Sequence, residues 1–430
     1  MKKILFLMAA TALVLSSCNK EPELLLDVSV QLTQFGEPFK HVASVSLTSA
    51  GATYTNNSDE NGKAVFSVPV GTYAVSAFMK EGNTNYNGST ELVVTKDYVE
   101  TAPVQLTLIA SNTSPLIIKE FYNGGCMDND NNKSYLYDKY IVIYNNSDKE
   151  VDASRMCITM AQTTNTQNTN KYSITDGVLE YEAAGWTPAS FGIWWFQGEV
   201  KIAPYSQITV AITGAIDHTK TYNNSVDLSH VDYVFYDKES GYSLALAYPA
   251  PATSIKSSHY MKTYQFGQGT VWMPPMDNSA PFILMPEEGV TIQDWVKVEA
   301  NFDNRSTNKS GNFAMVPTSW VLDALEEWPA ADENKYFCRF PKAVNSGYNI
   351  ATRTKGYSQY RNVDKVATEA IAENAGKLVY NYSGAVSSDD TDPSGIDAEA
   401  SLANGAKIVF MDTNNSANDF HQRKVAALKK

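Results

Sequence analysis

From about Leu25 to Ile109 the chain alternates apolar and polar residues in short runs, each closed by a turn signal. A period of two places every second side chain on the same face of a strand. Strands of that kind, in close succession, must bury their apolar faces against one another, which predicts an all-β sandwich. Val42, Val45 and Leu47 begin one strand. Asp59-Glu60-Asn61-Gly62 then supplies a turn with glycine where the backbone becomes left-handed, and Ala64 to Val68 resumes the strand. Pro69 to Tyr73 makes the next corner before Ala74 to Phe78. This stretch holds one histidine, His41, and no grouping of acids and bases that would carry catalysis.

A second region opens after the linker 110–115. Its first strand is predicted over Leu116 to Tyr122, followed by an Asn/Asp-rich loop and a strand starting at Tyr140. Gln207 to Ile212 and Tyr242 to Leu246 read as further strands. Helical signal is confined to Ser319 to Trp328, stopped by Pro329, and to Asp364 to Glu373. The fold class expected is mainly β: a sandwich over 27–109, then a larger β-rich region over 116–430 with an insertion at about 160–315.

At the N-terminus, Lys2 and Lys3 precede an apolar run from Ile4 to Leu15, the charged start and apolar centre of a secretory signal. That run is too short to span a bilayer comfortably. It ends in Leu15-Ser16-Ser17-Cys18, which resembles the lipobox of bacterial lipoproteins. The resemblance implies a signal peptide over 1–17, cleavage before Cys18, a diacylglycerol thioether on its thiol, and palmitate-type acyl chains that anchor the protein to a membrane. The polar tether beyond it, Asn19-Lys20-Glu21-Pro22-Glu23 within 18–26, looks like the acidic export signal of Bacteroidota surface lipoproteins. The outer membrane is therefore the expected location, on the cell-surface face, with the periplasmic face as the alternative.

Two further stretches carry family resemblances. The run "DENGKAVFSVPVGTYAVSAF" is similar to the transthyretin-like or carboxypeptidase-regulatory-like modules, which usually serve as spacers or docking elements. "PLIIKEFYNGG" and "DKYIVIYNNSDKEVDAS" look like the opening of a lamin-tail domain, an immunoglobulin-like sandwich. The likeness resumes in "PTSWVLDALE", "GYSQYRNVD" and "DTNNSANDF". As a whole the chain resembles a Bacteroidota outer-membrane lipoprotein family, a domain of unknown function, that pairs these two modules. That family carries no established activity, but both modules resemble non-catalytic ones, so the expected role is binding or assembly at the cell surface, as in nutrient capture beside a TonB-dependent transporter, with a glycan or a metal complex as ligand. A hydrolase, acting on glycosides or peptides from a site in the insertion, is the alternative.

Charge narrows the partners. The net charge is −13, and removal of Lys2 and Lys3 with the signal leaves 32 basic against 47 acidic residues. Such a surface makes nucleic acid a poor partner.

Candidate sites are few. Asp128, Asp130, Asn132 and the Ser134 carbonyl recur at every second position, as in the first half of a calcium loop. Lys133 stands where the turn glycine belongs and Lys139 where the bidentate glutamate belongs, which favours a solvated loop instead. Trp186, Trp194 and Trp195 are candidate ligand-binding aromatics, since indole faces stack on sugars and flat cofactors. Adjacent strand residues point to opposite faces, however, so at least one of Trp194 and Trp195 is expected to fill the core. Cys126 and Cys157 are the candidate disulfide, with buried free thiols as the alternative. His218, His230, His259 and His421 show no metal-ligand spacing, and no nucleophile elbow or phosphate loop is present.

Overall fold

The computed structural model describes residues 24–49, 52–82, 84–161, 179–267, 269–303, 313–330 and 338–429. The signal, the lipobox with Cys18, and most of the tether lie outside the described residues.

The first unit is a sandwich of a four-stranded and a five-stranded sheet. One sheet holds β1 (Leu25–Gln34), β2 (Glu37–Pro38) and β5 (Lys63–Pro69), with β8 (Val104–Thr107) parallel to β1. The other runs in the order β4 (Ala52–Asn57), β3 (Ser44–Ser49), β6 (Gly71–Glu81), β7 (Thr84–Val94) and β9 (Ile109–Asn112). Alternation does what it predicts. Val28, Val30 and Leu32 of β1 meet Ala64, Phe66 and Val68 of β5 on the inner side, and Val45, Leu47, Tyr73 and Val75 face them from the other sheet. Gly62 sits at φ +77°, and a Cβ there would come within 2.7 Å of the Phe39 carbonyl, so the predicted turn requires glycine. The expected linker 110–115 is half strand, because β9 pairs with β7 from Ile109–Asn87 to Asn112–Thr84.

The chain crosses this sandwich from end to end. Leu25 pairs with Pro69 at one end, where β1 begins, and Gly71 pairs with Val94 at that same end. β9 leaves at the other end, beside Thr84, so the second unit continues from the pole opposite the chain's arrival.

The second unit is built on an 11-stranded sheet. In spatial order it comprises Val321–Ala324, Pro281–Leu284, Cys157–Met160, Gly192–Trp195, Tyr260–Gln265, Tyr233–Phe235, Gln207–Ala211, Tyr140–Asn145, Leu116–Tyr122, Ser358–Arg361 and Phe420–Arg423. The sheet curls until its first strand reaches Leu116–Tyr122, where the backbone N–H of Ile118 donates to the Asp323 carboxylate at 2.6 Å. A large apolar core with Leu116, Ile118, Phe121, Ile141, Trp194 and Ile283 fills the inside of the curl. Several central strands come from the region expected to be an insertion.

Two local expectations are corrected. Ser319 to Trp328 is not a helix: a short 3-10 turn, Thr318–Trp320, leads into strands Val321–Ala324 and Glu327–Pro329. Its helix-like spacing of charges arises because Asp323, Glu326 and Glu327 are each buried against different partners. Tyr242 to Leu246 is not a strand either. Its backbone is tied to Thr270 through the N–H groups of Ser243 and Leu244, while the Tyr242 hydroxyl is held by the Phe191 carbonyl. The second helical expectation holds in part, with Lys365–Glu369 capped by the Asp364 carboxylate and followed by the 3-10 turn Ala372–Asn374.

Candidate functional site

The indoles and cysteines singled out in the sequence belong to the framework. Trp194 is fully buried and stacks on Phe235 with ring centroids 4.3 Å apart, so it is a core residue and not a ligand platform. Trp195 points to the opposite side of the strand and packs, partly buried, on a second core with Phe282 and Ile292. Trp186 lies against Tyr181, 5.1 Å between centroids, in a small separate cluster. The structure brings the three indoles to no common face. Cys126 and Cys157 are both free thiols, which corrects the candidate disulfide. Cys126 sits in a hairpin with its sulfur against Asp138, whereas Cys157 faces an apolar core that pushes its thiol pKa up.

The Asp128 to Ser134 segment closes that same hairpin. Asp128 accepts from the Asn132 amide at 2.8 Å, and Asn131 takes φ 55° at the tip. The Asp128 carboxylate thus caps the turn, and among the described residues no three acidic, histidine or cysteine side chains gather as a metal site. His218 and His421 are buried and serve as hydrogen-bond links, to Tyr135 and Gly214 in one case and to Asn362 and Tyr382 in the other.

What the sequence reading missed is a set of buried charges. Arg361 donates to the Ile118 carbonyl at 2.7 Å and to the Asp323 carboxylate, which in turn accepts from the Ile118 N–H. The pair thus satisfies both backbone groups of Ile118 where the pairing register shifts, between Ile118 and Glu120. Asp419 and Asp412 stand 3.7 and 4.0 Å from the same guanidinium. One positive charge among three carboxylates leaves an excess of negative charge in a dry place. Burial, and next the charge of Asp323, push the Asp412 carboxyl up to about 7.

A second cluster binds Arg339 to Glu326 at 2.7 Å and to the carbonyls of Asn278, Ser279 and Glu327. Beside it, Asn123 donates to Glu327 at 2.9 Å and accepts from Lys139. Burial pushes Glu327 up to about 8 and pulls Lys139 down to about 8. Lys119 and Glu399 form a third pair, with Tyr360 donating to the same carboxylate at 2.6 Å. A charge embedded within an apolar strand, as in Ile118-Lys119-Glu120-Phe121, is the sequence signal that marks such positions.

The Arg361 cluster lies directly under the junction with the first sandwich. Asn85 of β7 donates to the Asp412 carbonyl at 2.8 Å, and Ser89 donates to the Ser346 carbonyl at 3.1 Å. Two concavities flank this junction. One, of about 720 Å³, is open and lined on the sandwich by Lys40, His41, Glu60, Asn61, Lys80 and Glu81 among others. The other, about 150 Å³, lies between Thr318, Leu322, Asp323, Val344 and Asn414, smaller than the few hundred Å³ of an ordinary small-molecule pocket. The larger one is polar, carries both signs of charge, and suits a polar ligand or a protein loop better than an apolar molecule.

Among the described residues no helix is long and apolar enough to cross a membrane. No curated protein matches the chain. Its fold is similar to the crystal structure of a DUF4876 family protein from Bacteroides thetaiotaomicron, with a TM-score of 0.52 at 20% identity, covering 92% of this chain and 94% of that one. A family model described as "Protein of unknown function (DUF4876)" matches residues 203–427, more than half of the sequence, and the chain belongs to that family.

Proposed function

We propose that this chain is a non-catalytic outer-membrane lipoprotein, anchored by lipid on Cys18, whose first sandwich is a spacer and whose second unit is presented for binding or assembly at the cell surface. The observation that carries this reading is the polarity of the first sandwich. The chain arrives from the tether at the Leu25 end and leaves at the Thr84 end, and the second unit is held by Asn85 near that far end and by Ser89 at the middle of β7. A module threaded in that way separates the tether from the second unit by about half a strand, roughly 17 Å for the five residues from Ser89 to Val94 at the tether end. The transthyretin-like resemblance of this stretch points to the same spacer role.

The buried charges suit a framework. Arg361 and Asp323 stand in for a missing strand partner, and Arg339 ties together four backbone or carboxylate acceptors. A TonB-dependent transporter, with a glycan or metal complex as its cargo, is the partner this architecture would serve, through the polar concavity beside the junction.

The test begins with Cys18→Ser, which is expected to yield uncleaved or soluble protein where the native chain floats with membranes and carries an acylated N-terminal cysteine by mass spectrometry. An unmodified N-terminus at another residue would sink the anchor. Protease shaving of intact cells separates the two faces of the membrane, with cleavage expected. Turnover of a glycan or peptide by the purified protein, abolished by one carboxylate substitution that leaves folding intact, would replace this reading with the hydrolase.

A further inference from the structure

The tether end of the first sandwich carries an exposed apolar edge. Leu24 and Leu25 are 52% and 53% exposed, and Val70 and Val99 are 43% and 76% exposed. Strand pairing places them together. Leu25 lies opposite Pro69, so Leu24 and Val70 are neighbours across the same ladder. β8 runs parallel to β1 with Val104 beside Val30, and Glu100 accepts from Ser29, which brings the preceding Val99 back to the Leu25 end. The opposite pole is different: apart from Phe35 and Val42 it presents Lys40, Glu60, Lys80 and Glu81.

We infer that this edge rests on the lipid bilayer, with Leu24, Leu25, Val70 and Val99 at the boundary between headgroups and acyl chains. The inference rests on the anchor at Cys18 proposed above. Only Asn19 to Glu23 separate Cys18 from Leu24, a span of about 20 Å at full extension. A lipid on Cys18 therefore holds this end of the sandwich within reach of the membrane. Apolar side chains that water would otherwise cover are stabilised by that contact. The net charge of the lipidated chain, −15 from 32 basic and 47 acidic residues once Lys2 and Lys3 are removed, would repel an anionic surface, so the contact relies on apolar side chains and not on basic ones.

The experiment uses the full lipidated protein, reconstituted in phosphatidylethanolamine–phosphatidylglycerol vesicles that contain doxyl-labelled lipid. Val99→Cys, in a Cys338→Ser background, carries an environment-sensitive nitrobenzoxadiazole label, and Phe35→Cys carries the same label at the far pole. The doxyl lipid is expected to quench the Val99 label about twofold, as for a group at the headgroup–acyl boundary, and to leave the Phe35 label unchanged. Hydrogen exchange provides a second readout without labels, with residues 24–26 and 97–100 slowed on vesicles relative to soluble Cys18→Ser protein. Flotation with an unquenched Val99 label and unchanged exchange would overturn the lipid contact while leaving the anchor intact, and would assign the edge to a protein partner. Failure to float would overturn both.

Discussion

The two units solve the burial problem in opposite ways. In the first sandwich the buried polar residues are Ser29, Ser58, Asn85 and Asn87, none of them charged. Every buried charged side chain among the described residues lies in the second unit, including Lys119, Glu120, Asp138, Lys139, Arg339, Arg361 and Asp419. The first unit also joins distant strands, β1 to β5 and β8, and does so on hydrophobic alternation without buried charges. The second must bring Leu116–Tyr122 against strands from residues 321–324 and 358–361, and it does so with ion pairs that fix both register and partner. A buried charge tolerates few alternative partners, which makes it a device for specifying one long-range pairing.

The sharpest way to break the contrast is Arg361→Met. It leaves Asp323, Asp412 and Asp419 buried without their counter-charge, and should lower the stability of the second unit by about 3–5 kcal/mol. In chemical denaturation, the transition of the second unit is expected to move while that of the first stays. A single transition that shifts as a whole would show that the two units are not separable in this way. Leu47→Ala is the mirror test, since Leu47 is fully buried in the first core. A cavity there should cost about 2–4 kcal/mol, confined to the first unit.

These two regions also differ in how much the sequence reveals. The turn at Gly62, the strands at Ala64 to Val68 and Leu116 to Tyr122, and the capped turn beginning at Asp364 were all legible, because each arises from a local pattern. The edge strand β9 was hidden in what looked like a linker, because Ile109 and Ala110 acquire their partners only from β7. Ser319 to Trp328 was misleading for a stronger reason. Its acids fall at helical intervals, yet Asp323 answers to Arg361 and Glu326 to Arg339, and neither arginine announces its partner locally. Trp194 and Trp195 divided between two cores as strand geometry requires, and neither belongs to the junction that the structure reveals. That junction is assembled from residues far apart in sequence, Asn85 and Asp412, with nothing in either segment to link them.

Asp412 offers a smaller and more selective effect. Its carboxyl is pushed up to about 7 from an ordinary 3.8. Between pH 4 and 7 the folded protein therefore retains a proton that the unfolded chain has lost, and stability falls as pH rises through that window. The slope approaches about 1.4 kcal/mol per pH unit. Asp412→Asn should remove that part of the pH dependence and raise stability near neutrality relative to the native chain. Identical pH profiles for the two proteins would contradict the assignment.

Smallest of all is the junction bond itself. Asn85→Ala removes the donor to the Asp412 carbonyl and should cost about 1 kcal/mol, read as a wider separation between the two unfolding transitions. An increase in coupling would argue that other contacts, and not Asn85, join the units.

The claim that the first sandwich spaces the second unit from the membrane is tested most directly by neutron reflectometry of the lipidated protein on a supported bilayer. A narrow protein layer against the lipid is expected, with the greater mass beginning about 17 Å further out, the distance from the tether end to Ser89. Greatest protein density in contact with the headgroups would contradict it.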